Sequence, residues 1–450
     1  MAGTTTACGT GATATGSNAT AYGADTFATG NNSTAVGFVA TAQGNNSIAM
    51  GLQPTMNRGA FGTGSIAIGN DPAAGNGFDI NGRGQNAIAI GTGAFANFGF
   101  GANGVAIGAG TTVNGNNAVA IGASNNVSGN NSGAFGTGQT VNGNGSFGFG
   151  DPNTINGNGT FVMGNTNLVN GPNAAGNGDN IQIVGSNNTV AATSSAAGSS
   201  VFGSGNSVNA VNAVVMGNTN AMTGANGVAI GGGNTVAGPN AVAMGNANTV
   251  IGGNGIAVGN GSTVSGANAM AFGTGASATL DNSAAFGNGA TVTRANQQVF
   301  GTAGNTYTMP GITSAASKAA QTGPLEIVTS DGGGNLATNT AAGLGLATTA
   351  DIIGINSQIA GINARLTDLD SRTTRALNGT AMAFAMAGVP WLQPNERFAV
   401  SANWGTFQGT NGVALNGALR LSNNLQADGG LAYGANGGGL GGRLGVRFGW

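Results

Sequence analysis

Side chains that could carry out chemistry are scarce in this chain of 450 residues. Histidine is absent, lysine and cysteine occur once each, at Lys318 and Cys8, and charged residues make up 5% of the sequence. Without histidine the usual general base and a common metal ligand are missing, and one cysteine can form neither an intrachain disulfide nor a cysteine-based zinc site. We therefore expect a protein that is not an enzyme and holds no metal, and we interpret Cys8 as a small packing residue.

Local motifs that could bind a ligand lack the context that such sites need. GNGSFG at 143–148 fits the dinucleotide pattern G-x-G-x-x-G, yet no strand–helix–strand unit surrounds it. GNGDN around Asp179 is similar to a calcium-binding nonapeptide, but such a site needs an aspartate in turn after turn. The carboxylates of Asp25, Asp71 and Asp151 have no partner at a fixed spacing for paired acid–base catalysis. The sequence therefore predicts no cofactor.

The net charge argues against two classes of partner, and the first residues bear on how the chain is exported. A net charge of −2 provides no basic surface for nucleic acid and no polybasic patch for anionic lipid. The start, MAGTTTACGTGATATG, lacks the basic and apolar regions of an export leader, so we expect that a leader was removed or that the start is internal. Because no apolar run reaches the roughly 18 residues of a spanning helix, membrane insertion would have to use strands.

Glycine, with 89 residues, recurs at a fixed interval in this chain. Each glycine of the series closes a short apolar triplet, and the next follows 14 residues later. The series are Gly9, Gly23, Gly37 and Gly51, then Gly108, Gly122, Gly136, Gly150 and Gly164, and then Gly217, Gly231, Gly245, Gly259, Gly273, Gly287 and Gly301. The interval slips from Gly164 to Gly185 and from Gly185 to Gly203, which we interpret as longer turns between coils.

One repeat unit, GVAIGGGNTVAGPN, shows what each interval contains. Val228 and Ile230 share one face and Ala229 and Gly231 share the other, which is the period of a strand. A second short strand is predicted around Thr235–Val236, with turn residues on both sides. Two strands and two turns per interval form one coil of a parallel β-solenoid, and roughly 20 coils would make a rod on the order of 100 Å long.

The coil pattern also predicts what holds the repeats together. We interpret Val228, Ile230 and Gly231 as fixed by coil packing, which leaves faces of alanine and glycine exposed and calls for oligomerisation. The asparagines at one repeating turn position are predicted to stack into a ladder; they are Asn226, Asn240, Asn254, Asn268 and Asn282.

The chain changes character after the last repeat. Residues 302–350 contain Pro310 and Pro324 and a predicted hairpin turn at 331–335, which is typical of a connector. Apolar residues then alternate at steps of three and four, as at heptad a and d positions. Isoleucine at both positions favours three or four strands over two, and a parallel trimer is the first interpretation. This predicted trimer seam consists of Ile352, Ile355, Ile359, Ile362, Leu366 and Leu369, and it continues through the smaller Thr373, Ala376, Thr380 and Ala383.

The last segment alternates apolar residues with small or charged ones in four stretches of about ten residues, a pattern typical of membrane β-strands. The predicted lipid-facing residues are Phe398, Val400, Trp404, Leu415, Leu419, Leu431, Tyr433, Leu444, Val446 and Phe448. Four strands cannot close a barrel, and an open edge in lipid is costly, but three chains would supply twelve strands. The glycines and alanines of the other face would leave room in the barrel for three helices.

Repeats such as NAVAIGASNNVSGN and NGVAIGGGNTVAGPN, the segment DIIGINSQIAGINARLTDLDSR, and the strands ending in Trp450 resemble the trimeric autotransporter adhesins, the YadA-like family. The resemblance implies an outer-membrane homotrimer whose anchor helps to export its own passenger by type Vc secretion. It implies a head that binds host cells, matrix proteins or sibling cells. Trp450 would belong to the signal that the barrel-assembly machinery reads. The stalk, at four or five heptads, is shorter than in many members.

The fold class that follows is mainly β. We expect a trimeric left-handed parallel β-roll head in residues 1–301, a neck or connector in 302–350, a coiled-coil stalk and pore helix in 351–387, and a four-stranded anchor in 388–450. Four strands from each of three chains would form a twelve-stranded transmembrane barrel. An alternative for the head is a solenoid that binds an extended lattice, such as ice or polysaccharide, through rows of threonine and asparagine.

Overall fold

The computed structural model describes residues 3–53, 58–74, 84–96, 102–170, 178–191, 195–435, 437 and 439–450. The chain divides into two compact units, Met1–Tyr307 and Thr308–Trp450. The first unit consists of strands and turns, and the second adds a long helix and a four-stranded sheet.

The first unit is a parallel β-solenoid in which all but the last two coils contribute one strand to each of two sheets. The long-strand sheet has 20 strands among the described residues. They are Thr6–Cys8, Thr20–Tyr22, Thr34–Phe38, Ile48–Leu52, Ile66–Asn70, Ile88–Ile90, Val105–Ile107, Val119–Ala123, Gly133–Thr137, Phe147–Gly150, Phe161–Met163, Gln182–Val184, Ser200–Phe202, Val214–Asn218, Val228–Gly232, Val242–Asn246, Ile256–Asn260, Met270–Phe272, Ala284–Phe286 and Gln298–Phe300.

The short-strand sheet follows the other side of the coils. Its described strands are Thr13–Ala14, Phe27–Ala28, Thr41–Ala42, Gly59–Ala60, Ala73–Ala74, Phe95–Ala96, Thr112–Val113, Asn126–Val127, Thr140–Val141, Asn153–Ile155, Asn167–Val169, Thr189–Val190, Ser207–Val208, Ala221–Met222, Thr235–Val236, Thr249–Val250, Thr263–Val264 and Ser277–Ala278. Equivalent residues of successive coils pair in parallel register, as Gly231 does with Gly245. The predicted coil of two strands and two turns is confirmed.

The parallel register continues where the 14-residue interval slips. Phe161 pairs with Gln182, and Gln182 pairs with Ser200. The extra residues therefore leave the strand ladder intact, as expected for longer turns. Parts of these turns, 171–177 and 192–194, lie outside the described residues.

The interior of the coils is lined by the small residues, which corrects the prediction that the larger ones are fixed by coil packing. Ala229 and Val236 are fully buried, whereas Val228 and Ile230 are only half-buried on the outer face. Met216, which pairs with Ile230, is 44% exposed. Most inward positions of the long strand hold alanine, although Val162, Ile183, Val201 and Val215 are also fully buried there. Strand alternation places the residues on either side of each inward one on the outer face, whatever their size.

The interpretation of Cys8 as a packing residue is also wrong. Cys8 is exposed in the first strand, where it pairs with Tyr22. It precedes Gly9 as Ile230 precedes Gly231, and it therefore occupies the same outward position in its coil.

The second unit begins with small elements. A 3-10 helix, Pro310–Thr313, and a short α-helix, Ala315–Ala320, precede the antiparallel strands Ile327–Ser330 and Leu336–Asn339. The Asp331 carboxylate closes the turn between these strands by accepting from the backbone N–H groups of residues 333 and 335. The predicted hairpin is confirmed.

A helix of 38 residues, Thr349–Met386, leads into the C-terminal sheet. None of the helices described has both the length and the apolar character needed to cross a membrane. The sheet consists of four antiparallel anchor strands in chain order, as predicted. They are Phe398–Phe407, Thr410–Ser422, Leu425–Gly434 and Leu440–Phe448.

Candidate functional site

The strict glycine of each coil lies where neighbouring coils approach closely. Gly231 has a φ of 116°, and its carbonyl accepts a hydrogen bond from Asn220 Nδ2 at 2.9 Å. A Cβ on Gly231 would overlap the carbonyl oxygen of Gly245 in the next coil. Both the backbone conformation and the available space therefore require glycine at this position.

A ladder of buried asparagines runs through the head and was missed by the sequence analysis. Asn234 is fully buried, and its Nδ2 donates to Asn220 Oδ1 at 3.0 Å and to the carbonyl of Gly245 at 2.8 Å. The members of this ladder are Asn153, Asn167, Asn188, Asn206, Asn220, Asn234 and Asn248. An asparagine directly before a Thr-Val pair, as at Asn188, Asn234 and Asn248, carried the signal, but the sequence does not show that this asparagine points inward.

A second ladder, at the surface, is the one that the sequence predicted. Its side chains are joined by amide hydrogen bonds of 3.0–3.2 Å between successive coils. Each member has a φ of 54–56°, which asparagine tolerates better than most residues. The ladder contains Asn226, Asn240, Asn254, Asn268 and Asn282, and the prediction for these residues is confirmed.

One outer face of the head carries a continuous apolar column, the head stripe. It consists of the residue before each strict glycine, and in many coils an apolar outward residue two positions earlier, such as Val228, widens it. Side chains in the stripe with exposed fractions between 40% and 46% are Met50, Ile121, Met163, Val184, Phe202, Met216 and Met244. An apolar surface this long on a folded unit is typical of an interface with another protein surface.

Two groups of stacked phenylalanines interrupt the aliphatic residues of the head stripe. Phe135 and Phe149 stack with ring centroids 4.7 Å apart, and Phe149 and Phe161 are 5.5 Å apart. The second group, at the end of the head, consists of Phe272, Phe286 and Phe300, with centroid distances of 5.5 and 5.1 Å. The rings repeat because parallel register places equivalent residues one above another.

The outward row of the short-strand sheet does not favour the lattice-binding alternative. Thr235, Thr249 and Thr263 follow one another in register. Elsewhere the same row holds bulky or different residues, among them Phe27, Phe95, Asn126, Leu168 and Ala221. A flat lattice requires a regular row, and this one is irregular.

The outer face of the C-terminal sheet is apolar across all four anchor strands. Cross-strand pairs such as Phe398 with Leu419, and Leu415 with Leu431, bring the predicted lipid-facing residues together. Exposed fractions of 46–88% are found for Phe398, Val400, Trp404, Leu415, Leu419, Leu431, Tyr433, Leu444, Val446 and Phe448. Nothing in the described chain covers these side chains, and their role against lipid stays a prediction.

The predicted trimer seam lies on an exposed face of the long helix. Exposed fractions of 49–62% are found for Ile352, Ile355, Ile359, Ile362, Leu366 and Leu369. Six large apolar side chains on one helix face require a partner, which the single chain does not provide within its described residues.

The other face of the helix packs its C-terminal part against the inner face of the sheet. Ala381 and Ala385 are fully buried there, and Met382 is 8% exposed. A Cβ on Gly412 would lie only 2.7 Å from the Met382 backbone nitrogen, and one on Gly405 would lie 2.5 Å from the Ala381 carbonyl oxygen. The small inner residues let the helix backbone approach the sheet directly, as the sequence predicted for a helix passing this face.

Polar side chains of the anchor strands bind the end of the helix, and sequence reasoning missed them. Asn416 Nδ2 donates to the Ala385 carbonyl at 3.2 Å, and Arg443 Nη1 donates to the Met386 carbonyl at 3.2 Å. Arg443 Nη2 also contacts Asp428 Oδ2 at 3.2 Å. The sequence does show isolated polar residues among the small residues of this face. The group that they bind could not be predicted from it, because that group depends on where the helix ends.

The chain that follows the helix is held by two further arginines. Arg420 donates to the carbonyls of Gln393 and Pro394 at 3.0 and 2.7 Å. The Arg447 guanidinium lies 4.4 Å from the ring centroid of Trp391. The segment between helix and sheet is thereby fixed along the same inner face.

The helix begins with a capping box. The Thr348 hydroxyl and backbone N–H donate to the Asp351 carboxylate at 2.7 and 2.8 Å, and the Asp351 N–H donates back to the hydroxyl at 3.3 Å. These bonds to the charged form lower the pKa of Asp351 below its ordinary value.

Trp450 lies after the last anchor strand and is fully exposed, so its predicted role as an assembly signal stays a prediction. Among the described residues, no group of three or more histidine, cysteine, aspartate or glutamate side chains could hold a metal ion.

Comparison with protein families gives two matches. A model described as YadA head domain repeat (2 copies) matches residues 4–26, 28–53, 83–111, 114–138, 223–248, 251–276 and 265–290. A model described as YadA-like membrane anchor domain matches residues 390–450. No curated protein matches the chain. The head matches fall on solenoid coils, and the anchor match contains all four anchor strands.

Proposed function

Because the chain belongs to the YadA-like trimeric autotransporter adhesins, a family of outer-membrane homotrimers, we propose that three copies assemble through the head stripe and the helix seam. The anchors of these three copies together form a twelve-stranded barrel. The barrel supports export of the passenger, and the head is displayed at the cell surface as an adhesin. The proposal includes no catalysis.

The exposed apolar residues of both units support trimer assembly. Met244 is 41% exposed in the head stripe and Ile362 is 62% exposed in the helix seam. Isoleucine at both a and d positions favours three or more helices, and three is also the number of chains that turns four strands into twelve. The coiled-coil stalk and the buried head stripe are parts of this proposal.

The observation that carries the anchor proposal is the two-sided sheet. Its outer face is apolar, its inner face binds a helix, and its first and last strands have unpaired edges in the single chain. An open edge in lipid leaves backbone groups without partners, so strand Phe398–Phe407 must pair with strand Leu440–Phe448 of the next copy. Residues of the inner face, including Gly412, then line the barrel around three helices.

Export and assembly follow from the same arrangement. The chain that precedes the anchor must pass through the barrel, and the C-terminal part of the helix Thr349–Met386 is the part that stays in the pore. We assign Trp450 to the signal that the barrel-assembly machinery reads, on the basis of family membership and its exposed position after the last anchor strand.

Attachment is the proposed task of the head. The faces that the stripe and the ladders leave free carry neutral polar side chains repeated along the coils. Such a surface suits many weak contacts with a host cell, a matrix protein or a sibling cell better than one pocket.

Expression of the full chain on a non-adherent bacterium tests this proposal. Unheated detergent extracts should contain a species of about three chains, and protease added to whole cells should cleave the head. The cells should bind matrix-coated surfaces or one another, whereas cells that carry only residues 302–450 should not. A monomer band alone would contradict the trimer, and equal binding by both strains would contradict the adhesive role of the head.

A further inference from the structure

The last carbonyl groups of a helix have no partner within the helix, and this chain satisfies them with anchor side chains. The Ala387 N–H donates to the carbonyls of Ala383 and Phe384. The next two carbonyls, of Ala385 and Met386, accept from Asn416 and Arg443. The helix end is thus bound by the sheet and not by solvent.

The side chains that bind the helix end lie in one row across the four strands. Ser401 pairs with Asn416, Asn416 pairs with Gly430, and Gly430 pairs with Arg443. Just beyond the helix, the Gly388 carbonyl accepts from Ser401 Oγ at 2.7 Å. Each of the four anchor strands therefore contributes one residue to the row.

Two features make the row a built site. Gly430 leaves room for the Asn416 side chain, because a Cβ on residue 430 would overlap Asn416 Oδ1. Asn416 is 1% exposed and Asp428, which holds the Arg443 guanidinium, is 9% exposed. The Asp428 carboxylate is thus enclosed while the Arg443 side chain is 42% exposed, and the ion pair orients the guanidinium because charge-assisted hydrogen bonds are stronger than neutral ones.

We infer that Ser401, Asn416, Gly430 and Arg443 form a helix-end clamp that holds the helix in the pore and keeps the pore closed once export is complete. Asp428 is a positioning residue, which acts by orienting Arg443. This inference rests on the proposed trimeric barrel. Without the clamp, the carbonyls at the helix end are solvated, and the helix moves within a pore that then conducts ions.

Conductance of the purified full-length trimer in planar lipid bilayers tests the clamp. We expect Arg443→Gln to raise the open fraction roughly tenfold or more relative to the unaltered protein, because a charge-assisted bond to the helix end is lost. Asn416→Ala and Asp428→Asn should raise it by smaller factors. Asp428→Asn combined with Arg443→Gln should raise it no further than Arg443→Gln alone, since Asp428 acts through Arg443.

Arg397→Gln is the matched control. Arg397 precedes the first strand, and its guanidinium makes no hydrogen bond among the described residues. This variant removes the same charge but should conduct like the unaltered protein. Equal conductance of Arg443→Gln and the unaltered trimer would overturn the clamp, and so would an equal rise with Arg397→Gln.

The outcomes separate the clamp from the proposed function. If the unaltered protein forms no trimer and exposes no head on cells, the proposed function fails whatever the variants do. If the unaltered trimer forms but Arg443→Gln does not assemble, the open fraction of the Asp428→Asn trimer tests the clamp instead. A raised open fraction in Asp428→Asn supports the clamp, and an unchanged one overturns it.

Discussion

In the head, a small residue such as Ala229 points into the coil while its neighbour Ile230 points outward. In the anchor, Ala414 lies against the helix while Leu415 points outward. In both regions, small residues thus point into the packed interior of the chain, and large apolar residues point away from it. The difference lies in the surroundings, which we propose to be two other copies for the head and lipid for most of the anchor.

Hydrogen bonding separates the two regions more sharply. Each head coil finds its strand partners in the coils before and after it, so among the described residues only the terminal coils have unpaired edges. The anchor sheet has four strands, so half of its strands are edge strands. The head can therefore form its sheets within one chain, while in the proposed barrel the anchor depends on other copies to complete its own.

Their polar residues differ in the same way. Many buried polar groups of the head are asparagines repeated at coil spacing, such as Asn220 and Asn234. In the anchor, the buried Asn416 and the more exposed Arg443 each occur once and bind one particular helix end. Repeated polar residues support a structure of indefinite length, whereas single ones fix one position.

The largest expected effect comes from closing the space that the anchor leaves for its helix. Gly412→Leu would place a side chain where the Met382 backbone lies, and we expect no trimer in unheated extracts of outer membranes. Gly417→Leu is the control, because Gly417 lies on the same strand but on the outer face, where a Cβ would meet no atom closer than 3.7 Å. Trimer assembly by Gly412→Leu would show that the anchor does not need close helix contact.

The next effect concerns the helix seam, whose residues, like the head stripe, lack a partner in one chain. The double substitution of Ile359→Asn and Ile362→Asn should destabilise the stalk. We expect a loss of at least about 2–5 kcal/mol, which is the cost of truncating one buried isoleucine. Limited proteolysis of the native trimer would measure this as faster cleavage between 351 and 375. Gln358→Asn is a control with no seam residue altered, and cleavage at the same rate in both variants would contradict the seam.

A smaller and more local effect is expected in the head. Gly231→Ala should destabilise its coils by about 1–3 kcal/mol per chain, because alanine disfavours this φ and its Cβ meets the next coil. Thermal unfolding followed by circular dichroism would show a lower midpoint. Gly232→Ala should change it little, since its Cβ would lie 3.2 Å or more from any neighbour. Equal unfolding midpoints for Gly231→Ala and Gly232→Ala would mean that neighbouring coils can move apart to accommodate the added Cβ.

The smallest effect is a pH dependence at the start of the helix. Because the native pKa of Asp351 is lowered, its stabilising contribution is complete above the ordinary aspartate pKa and is lost as pH falls through the lower native value. The decrease in helix content during acid titration should be larger in the unaltered protein than in Thr348→Ala, and it should occur at lower pH, because the Thr348 hydroxyl lowers the pKa of Asp351. Identical titrations would show that the capping box does not contribute.

Much of the fold could be predicted from spacing alone. The interval between strict glycines predicted the coils, the alternation of residues in the last segment predicted the four anchor strands, and Asp331 predicted its hairpin. Which way the head strands face could not be predicted, because alternation distinguishes two faces without saying which is inside. Cys8 was misread for the same reason, since it belongs to the outward set.

The sequence by itself determined the periodic and local features of this protein: coil length, strand positions, the surface asparagine ladder and the heptad seam. Each of these depends on neighbours along the chain or at a constant interval. Only the tertiary structure decided that Ala229 and not Ile230 points into the coil, because the closing of the coil fixes which of the two alternating faces lies inside. It alone also brought Asn416 and Arg443 to the helix end, since contacts between residues 31 and 57 positions apart follow no repeat.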